Sequence, residues 1–288
     1  MFIIGFEGKT VTPQLEEFFR KYKPGGILLL SKNIESAEQL KKLTKDLQNL
    51  SLRETGLPLF ITVDQEGGII SRVDFLQEKT LQSEIEDPNE AYQIGLTRGQ
   101  ELKELGINLN LAPLLDITEE TDFLFNRSFQ KNVAETGNLA KSLIEGQKTA
   151  NILTAVKHFP GYGGISFNPE KTLARTERLP EIFQFKKAIE ANPEFIMTAN
   201  VVYKNLDPNL LFTFSPTAIQ FLKNNLGSEI IIISDDLAQK YLLANFSLKD
   251  IMTKPVQAGV NLLIFSGWEI SVSEGLDVFF DTFKKGEV

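Results

Sequence analysis

The chain has 288 residues, 42% hydrophobic and 24% charged, with no low-complexity or Ser/Gly/Pro-rich stretch to divide it, which predicts one domain spanning residues 1–288 around one large core. Its 38 acidic against 30 basic side chains leave a net charge of -8, so neither a nucleic-acid backbone nor an anionic membrane surface is an expected partner. Zero cysteines and a single histidine exclude disulfides, thiolate metal sites and ordinary zinc ligation.

The opening Met1-Phe2-Ile3-Ile4-Gly5-Phe6 run is too short for a signal sequence and meets Glu7 at once. No apolar run approaches the roughly 20 residues of a membrane helix, so a cytoplasmic monomer is expected. Short continuous apolar runs recur at Phe2 to Phe6, Gly26 to Leu30, Leu59 to Val63, Ile107 to Leu111, Leu153 to Val156, Phe195 to Thr198, Ile230 to Ile233 and Val260 to Phe265. They lack apolar/polar alternation, as strands buried on both faces do, and helical patterns lie between them. Helix starts are signalled by Ser36 with Gln39, Asp87 with Pro88 and Glu90, Asn132 with Glu135, Ser215 with Pro216, and Ser247 with Asp250. Eight strand-then-helix units predict an α/β fold, a (β/α)₈ TIM barrel. An open doubly wound sheet is the alternative, but no Gly-rich dinucleotide fingerprint follows Phe6.

Barrel enzymes place their chemistry at the C-terminal ends of the strands. The polar residues closing apolar runs are Asp64, Asp116, Lys157 with His158, Asn200, and Ser234-Asp235-Asp236. The stretch from Lys157 to Glu170 holds the one histidine, three glycines and two prolines, a composition suited to a mobile loop over a polar ligand rather than to a core. Taken alone, Ser234-Asp235-Asp236 fits a helix N-cap as well as a catalytic carboxylate. Asp64-Gln65-Glu66-Gly67-Gly68 alone reads as an acidic turn, and Arg127 as a surface arginine.

In chain order, however, Asp64-Gln65-Glu66-Gly67-Gly68, Arg127-Ser128-Phe129, Lys157-His158-Phe159-Pro160-Gly161 and Ser234-Asp235-Asp236-Leu237 resemble four motifs of glycoside hydrolase family 3, in particular its single-domain β-N-acetylglucosaminidases. Gly25 to Leu29, Leu57 to Ile61 and Gly259 to Leu263 are similar to family strands, so the resemblance covers nearly the whole chain. It implies a retaining glycosidase that hydrolyses terminal N-acetyl-β-glucosaminides by double displacement. Asp235 falls on the nucleophile, and Asp64, Arg127, Lys157 and His158 fall on the residues that bind the sugar. The resemblance further implies a small N-acetylglucosamine-containing substrate, no metal or organic cofactor, and, for this branch, peptidoglycan or amino-sugar recycling.

Retaining cleavage needs a proton donor that later activates water. This branch of the family takes it from an Asp-Ser-His element after strand five, where the register here puts Asn168-Pro169-Glu170. The family's second loop histidine is Tyr162, the histidine after strand six is Asn200, and an Arg-Val-x-Arg segment reads Ile69-Ile70-Ser71-Arg72, keeping its second arginine only. Two expectations follow. In one, Glu170 is the acid/base, with the neighbouring Asp235 charge favouring its protonated form. In the other, Glu170 is a solvated loop carboxylate and the chain is a pseudoenzyme that binds an amino sugar. A third reading, a Schiff-base aldolase using Lys157, leaves Asp235 and Arg127 without a role.

Overall fold

A computed structural model describes residues 1–267 and 270–288. The eight apolar runs form parallel strands β1 (Phe2–Ile4), β2 (Gly26–Leu29), β3 (Phe60–Val63), β4 (Leu109–Asn110), β5 (Leu153–Phe159), β6 (Phe195–Thr198), β7 (Ile231–Ile233) and β8 (Leu263–Phe265). They are hydrogen-bonded in the order β7-β6-β5-β4-β3-β2-β1-β8. The two edges meet through a parallel bridge between Ile233 and Leu262 and a hydrogen bond of 2.9 Å from Ser234 N–H to Leu262 O. The result is the nearly closed eight-stranded barrel expected of the strand-helix rhythm.

Helices α1 (Pro13–Tyr22), α2 (Ala37–Thr55), α3 (Pro88–Glu104), α4 (Val133–Thr149), α5 (Phe183–Ala188), α6 (Pro216–Leu226), α7 (Lys240–Asn245), α8 (Leu248–Ala258) and α9 (Ile270–Lys284) are interleaved with these strands. All five expected helix starts are capped. The Ser36 hydroxyl accepts from Gln39 N–H, Asp87 from Asn89 and Glu90, Ser215 from Ala218, and Ser247 from Asp250, while Asn132 and Glu135 form a reciprocal box. Each such cap contributes about 1 kcal/mol to holding a helix end at a defined residue.

The strands are apolar throughout because both of their faces are buried. Ile3, Leu28, Leu109, Ala155, Met197, Ile233 and Ile264 pack inside the barrel, while Ile4, Ile27, Ile61, Val156, Ile196, Ile232 and Leu263 join the larger layer under the helices. Since side chains alternate along a strand, the inward series Ala155, Ile233 and Ile264 continues two residues on to Lys157, Asp235 and Ser266. All three line one cavity at the C-terminal end of the barrel, with Asp64 beyond β3.

Two details differ from the sequence reading. Strand five does not stop at Val156 but runs to Phe159, so Lys157 and His158 belong to the strand itself. Its pairing persists because Lys157 N–H donates to Pro113 O at 3.1 Å, Leu115 N–H to Lys157 O at 2.5 Å, and Ala199 N–H to Phe159 O at 2.7 Å. The following loop is tied down at both ends. Gly164 N–H donates to Asp122 at 3.0 Å and Phe123 N–H to Ile165 O at 2.9 Å. Further on, Ala174–Thr176 pairs in parallel with Val201–Tyr203. Residues 166–173, which include Glu170, run between the two anchors. Among the described residues no helix is long and apolar enough to cross a membrane.

Candidate active site

Asp64, Glu66, Arg127 and Lys157 come from three strand ends and form one ionic cluster. Lys157 Nζ donates to Asp64 Oδ1 at 2.7 Å and lies 2.6 Å from Glu66 Oε1. Arg127 Nη2 and Nε grip Glu66 Oε1 and Oε2 at 2.7 and 3.0 Å. Burial alone would push the Glu66 carboxyl up, but the Arg127 and Lys157 charges outweigh it and hold the group well below the usual carboxylate range. Burial would likewise lower the Lys157 amine, yet the Asp64 and Glu66 charges hold it above its ordinary value. A lysine kept charged in this way is a poor Schiff-base nucleophile, which counts against the aldolase reading.

The turn carrying Glu66 is fixed from beneath. Arg98, fully buried, donates to Glu66 O at 2.6 Å, to Glu78 Oε2 at 2.6 Å and to Thr80 O at 3.0 Å. Gly67 has φ of +93°, and a Cβ there would come within 2.0 Å of Thr80 O, so the close approach of this turn to the Arg98 bed requires glycine.

A second network centres on Asp116, 2% exposed. Asp116 Oδ2 accepts from His158 N–H at 3.1 Å and lies 3.0 Å from His158 Nδ1, while Oδ1 accepts from Tyr162 N–H at 2.5 Å. This carboxylate therefore orients the imidazole and the start of the loop together. Tyr162 stands edge-on to His158, ring centroids 5.0 Å apart, and its phenol donates to Asp235 Oδ2 at 2.7 Å. Asn200 N–H donates to the same phenol oxygen at 2.8 Å. Two positions where the family resemblance breaks, Tyr162 and Asn200, thus touch each other, and Tyr162 touches the candidate nucleophile.

Asp64, Arg127, Lys157, His158, Asp235 and Glu170 all line a cavity of about 340 Å³, at the lower end of the range for small-molecule sites. All six candidates from the sequence are brought together, but they are not held equally. Glu170 is exposed, its N–H donates to Asn168 Oδ1 at 2.8 Å, and its carboxylate has no hydrogen-bond or ion-pair partner among the described residues. Asn168 therefore shapes the turn. Asp236, beside Asp235, accepts from the Ser266 hydroxyl, from Ser266 N–H at 2.9 Å and from Ala238 N–H at 3.0 Å. Burial outweighs these donors and pushes its carboxyl up to about 6.

Four further residues bear on the site without a role legible in the sequence. Glu66 lies in the glycine turn and Arg72 in the Ile69-Ile70-Ser71-Arg72 segment after it, Asp116 is a polar strand end, and Tyr162 stands at a departure from the family pattern. Arg72 lines the cavity, and its Nε is buried without a hydrogen-bond partner among the described residues.

Chemically, the arrangement offers a carboxylate on one wall, a fixed set of donors and acceptors for ring hydroxyls, and a second carboxyl on the loop at the mouth. Similar proteins identify the family. A beta-hexosaminidase of Nitrosomonas eutropha is 31% identical over 257 residues, 83% of this chain and 73% of that protein. Beta-hexosaminidase A of Pseudoalteromonas piscicida is 27% identical over 285 residues, 88% of this chain and 48% of the relative. Among solved structures, a glycoside hydrolase family 3 beta-N-acetylglucosaminidase from Paenibacillus sp. str. FPU-7 superimposes with a TM-score of 0.93 at 26% identity, covering 100% of this chain and 57% of its own. Native NagZ from Neisseria gonorrhoeae gives 0.85 at 26% identity, with 96% and 84% covered. The chain thus spans about half the length of some relatives and most of the length of others. The Glycosyl hydrolase family 3 N terminal domain matches residues 6–288, and the chain belongs to that family.

Proposed function

We propose that this chain, working as one catalytic domain over residues 1–288, is a retaining glycosidase that hydrolyses terminal N-acetyl-β-glucosaminides. The observation that carries the reading is the convergence of Asp64, Arg127, Lys157, His158, Asp235 and Glu170 on one cavity. Asp235 attacks the anomeric carbon and forms a glycosyl-enzyme intermediate as the aglycone oxygen takes a proton from Glu170. Water, deprotonated by Glu170, then displaces Asp235 and restores the β configuration. Asp64, with Arg127, Lys157 and His158, holds the sugar ring so that the carboxylate meets C1 in line. No metal or organic cofactor enters these steps. Peptidoglycan or amino-sugar recycling in the cytoplasm, by a monomer, completes the proposal, and its support is the family resemblance alone.

One observation favours a second reading. Among the described residues the Glu170 carboxylate has no partner to orient it, and a pseudoenzyme that binds an amino sugar without turning it over fits that freedom. Hydrolysis of an aryl N-acetyl-β-glucosaminide, run beside the aryl β-glucoside and β-xyloside, separates the two. Turnover of the first alone is expected. Binding of N-acetylglucosamine without turnover of any glycoside would leave the pseudoenzyme. If turnover occurs, a 5-fluoro glycosyl donor should label Asp235, and a label on Asp236 would overturn the assignment of the nucleophile.

A further inference from the structure

We propose that Tyr162 is the positioning residue of Asp235, its phenol hydrogen bond fixing the carboxylate for attack on the anomeric carbon. The inference rests on the reading of Asp235 as nucleophile. Its basis is a set of hydrogen bonds with only one arrangement of protons. A backbone N–H can only donate, so the Asn200 amide at 2.8 Å makes the Tyr162 oxygen an acceptor there. The single phenol hydrogen is left for Asp235 Oδ2 at 2.7 Å. Asp235 Oδ1 accepts the Asp236 N–H at 2.7 Å, so both oxygens are held and the carboxylate plane is set. Tyr162 itself is 3% exposed, tied by its own N–H to Asp116 and packed edge-on against His158.

The same hydrogen bond comes from a group that does not itself titrate near neutrality. Burial, followed by the Asp235 charge, pushes the Tyr162 phenol well above its ordinary range, so the donor keeps its proton wherever the enzyme works. The other ionisable groups around Asp235 are Asp236 on its own turn, Tyr241 on α7, and Asp64, Arg72, Arg127, Lys157, His158, Glu170, Lys171 and Lys240 on the cavity wall. An imidazole in place of Tyr162 would add an ionisation near 6.5 to this set.

Tyr162→Phe keeps the ring and removes the O–H. On an activated aryl substrate, kcat should fall about 10- to 100-fold, the effect of one hydrogen bond to a charged group, with KM changed less than about 3-fold. Tyr162→His should restore part of the rate and add a limb near pH 6.5 to the kcat/KM profile. Carboxyl-¹³C NMR of aspartate-labelled protein, with Asp235→Asn for assignment, reads the hydrogen bond without any substrate. The Asp235 carboxyl resonance should change its chemical shift in Tyr162→Phe relative to the parent protein, because the donor to Oδ2 is gone. An unmoved resonance overturns the proposal whatever the activity. A moved resonance in a protein that hydrolyses no glycoside upholds the hold of Tyr162 on Asp235, and the glycosidase reading falls instead.

Discussion

Glu66→Gln keeps the size of the side chain and removes the charge that Arg127 and Lys157 share. Among the described residues both side-chain hydrogen bonds of Arg127 end on Glu66, so the guanidinium would keep an amide oxygen and lose its counter-ion. Lys157 would be left with Asp64 alone. Glu66 and Lys157 are each 1% exposed, so water compensates little, and removing one member of a buried ion cluster typically costs about 3–5 kcal/mol. For a chain of this size about 2 °C follows from each kcal/mol, which sets the expected fall in Tm at roughly 6–10 °C at pH 7. The pH dependence has a definite sign. The folded Glu66 carboxyl is held below its unfolded value, so its contribution is complete above roughly pH 4.3 and is lost as the pH falls through the folded value. The gap between parent and variant, followed by circular dichroism melts, should be constant from pH 7 to 5 and narrow only in stronger acid. A gap under about 1 kcal/mol at pH 7, or one that narrows already near neutrality, would refute the reasoning.

Glu170→Ala should lower turnover of substrates with poor leaving groups by roughly 10²–10⁴-fold while sparing aryl glycosides in the glycosylation step, with azide accelerating release of the intermediate; equal rates under all these conditions would remove Glu170 from the mechanism. Asp64→Ala and Arg127→Ala should each weaken N-acetylglucosamine binding in calorimetry, and unchanged affinity in both would dissolve the shared sugar site. Asp236 is the mirror case of Glu66 in sign: with its folded value raised to about 6, its contribution is present below the unfolded value and is lost as the pH rises through 6. The stability of the parent relative to Asp236→Asn should therefore decline between about pH 4 and 6 and level off above, and a difference that does not vary with pH would show that the group is not so shifted.

The barrel was legible in the sequence because its causes are local. Each strand is a short apolar run whose two faces are both covered, and each cap is a hydrogen bond between residues two or three apart, as with Asn132 and Glu135. The resemblance of four ordered segments to one family also picked out Asp64, Arg127, Lys157, His158 and Asp235, and the register after Lys157-His158 added Glu170; all six line one cavity. What those neighbours do to one another depends on contacts that no local pattern encodes. Glu66 read as part of an acidic turn, since its partner Arg127 lies 61 residues away. Tyr162 and Asn200 read as departures from a pattern, and only the closing of β5, β6 and β7 side by side brings the phenol to Asp235, 73 residues on. Strand five read as ending at Val156, three residues before its end at Phe159, because Lys157 and His158 are polar. Their burial is possible only once Asp64, Glu66 and Asp116, from other strand ends, stand opposite them as counter-charges and acceptors.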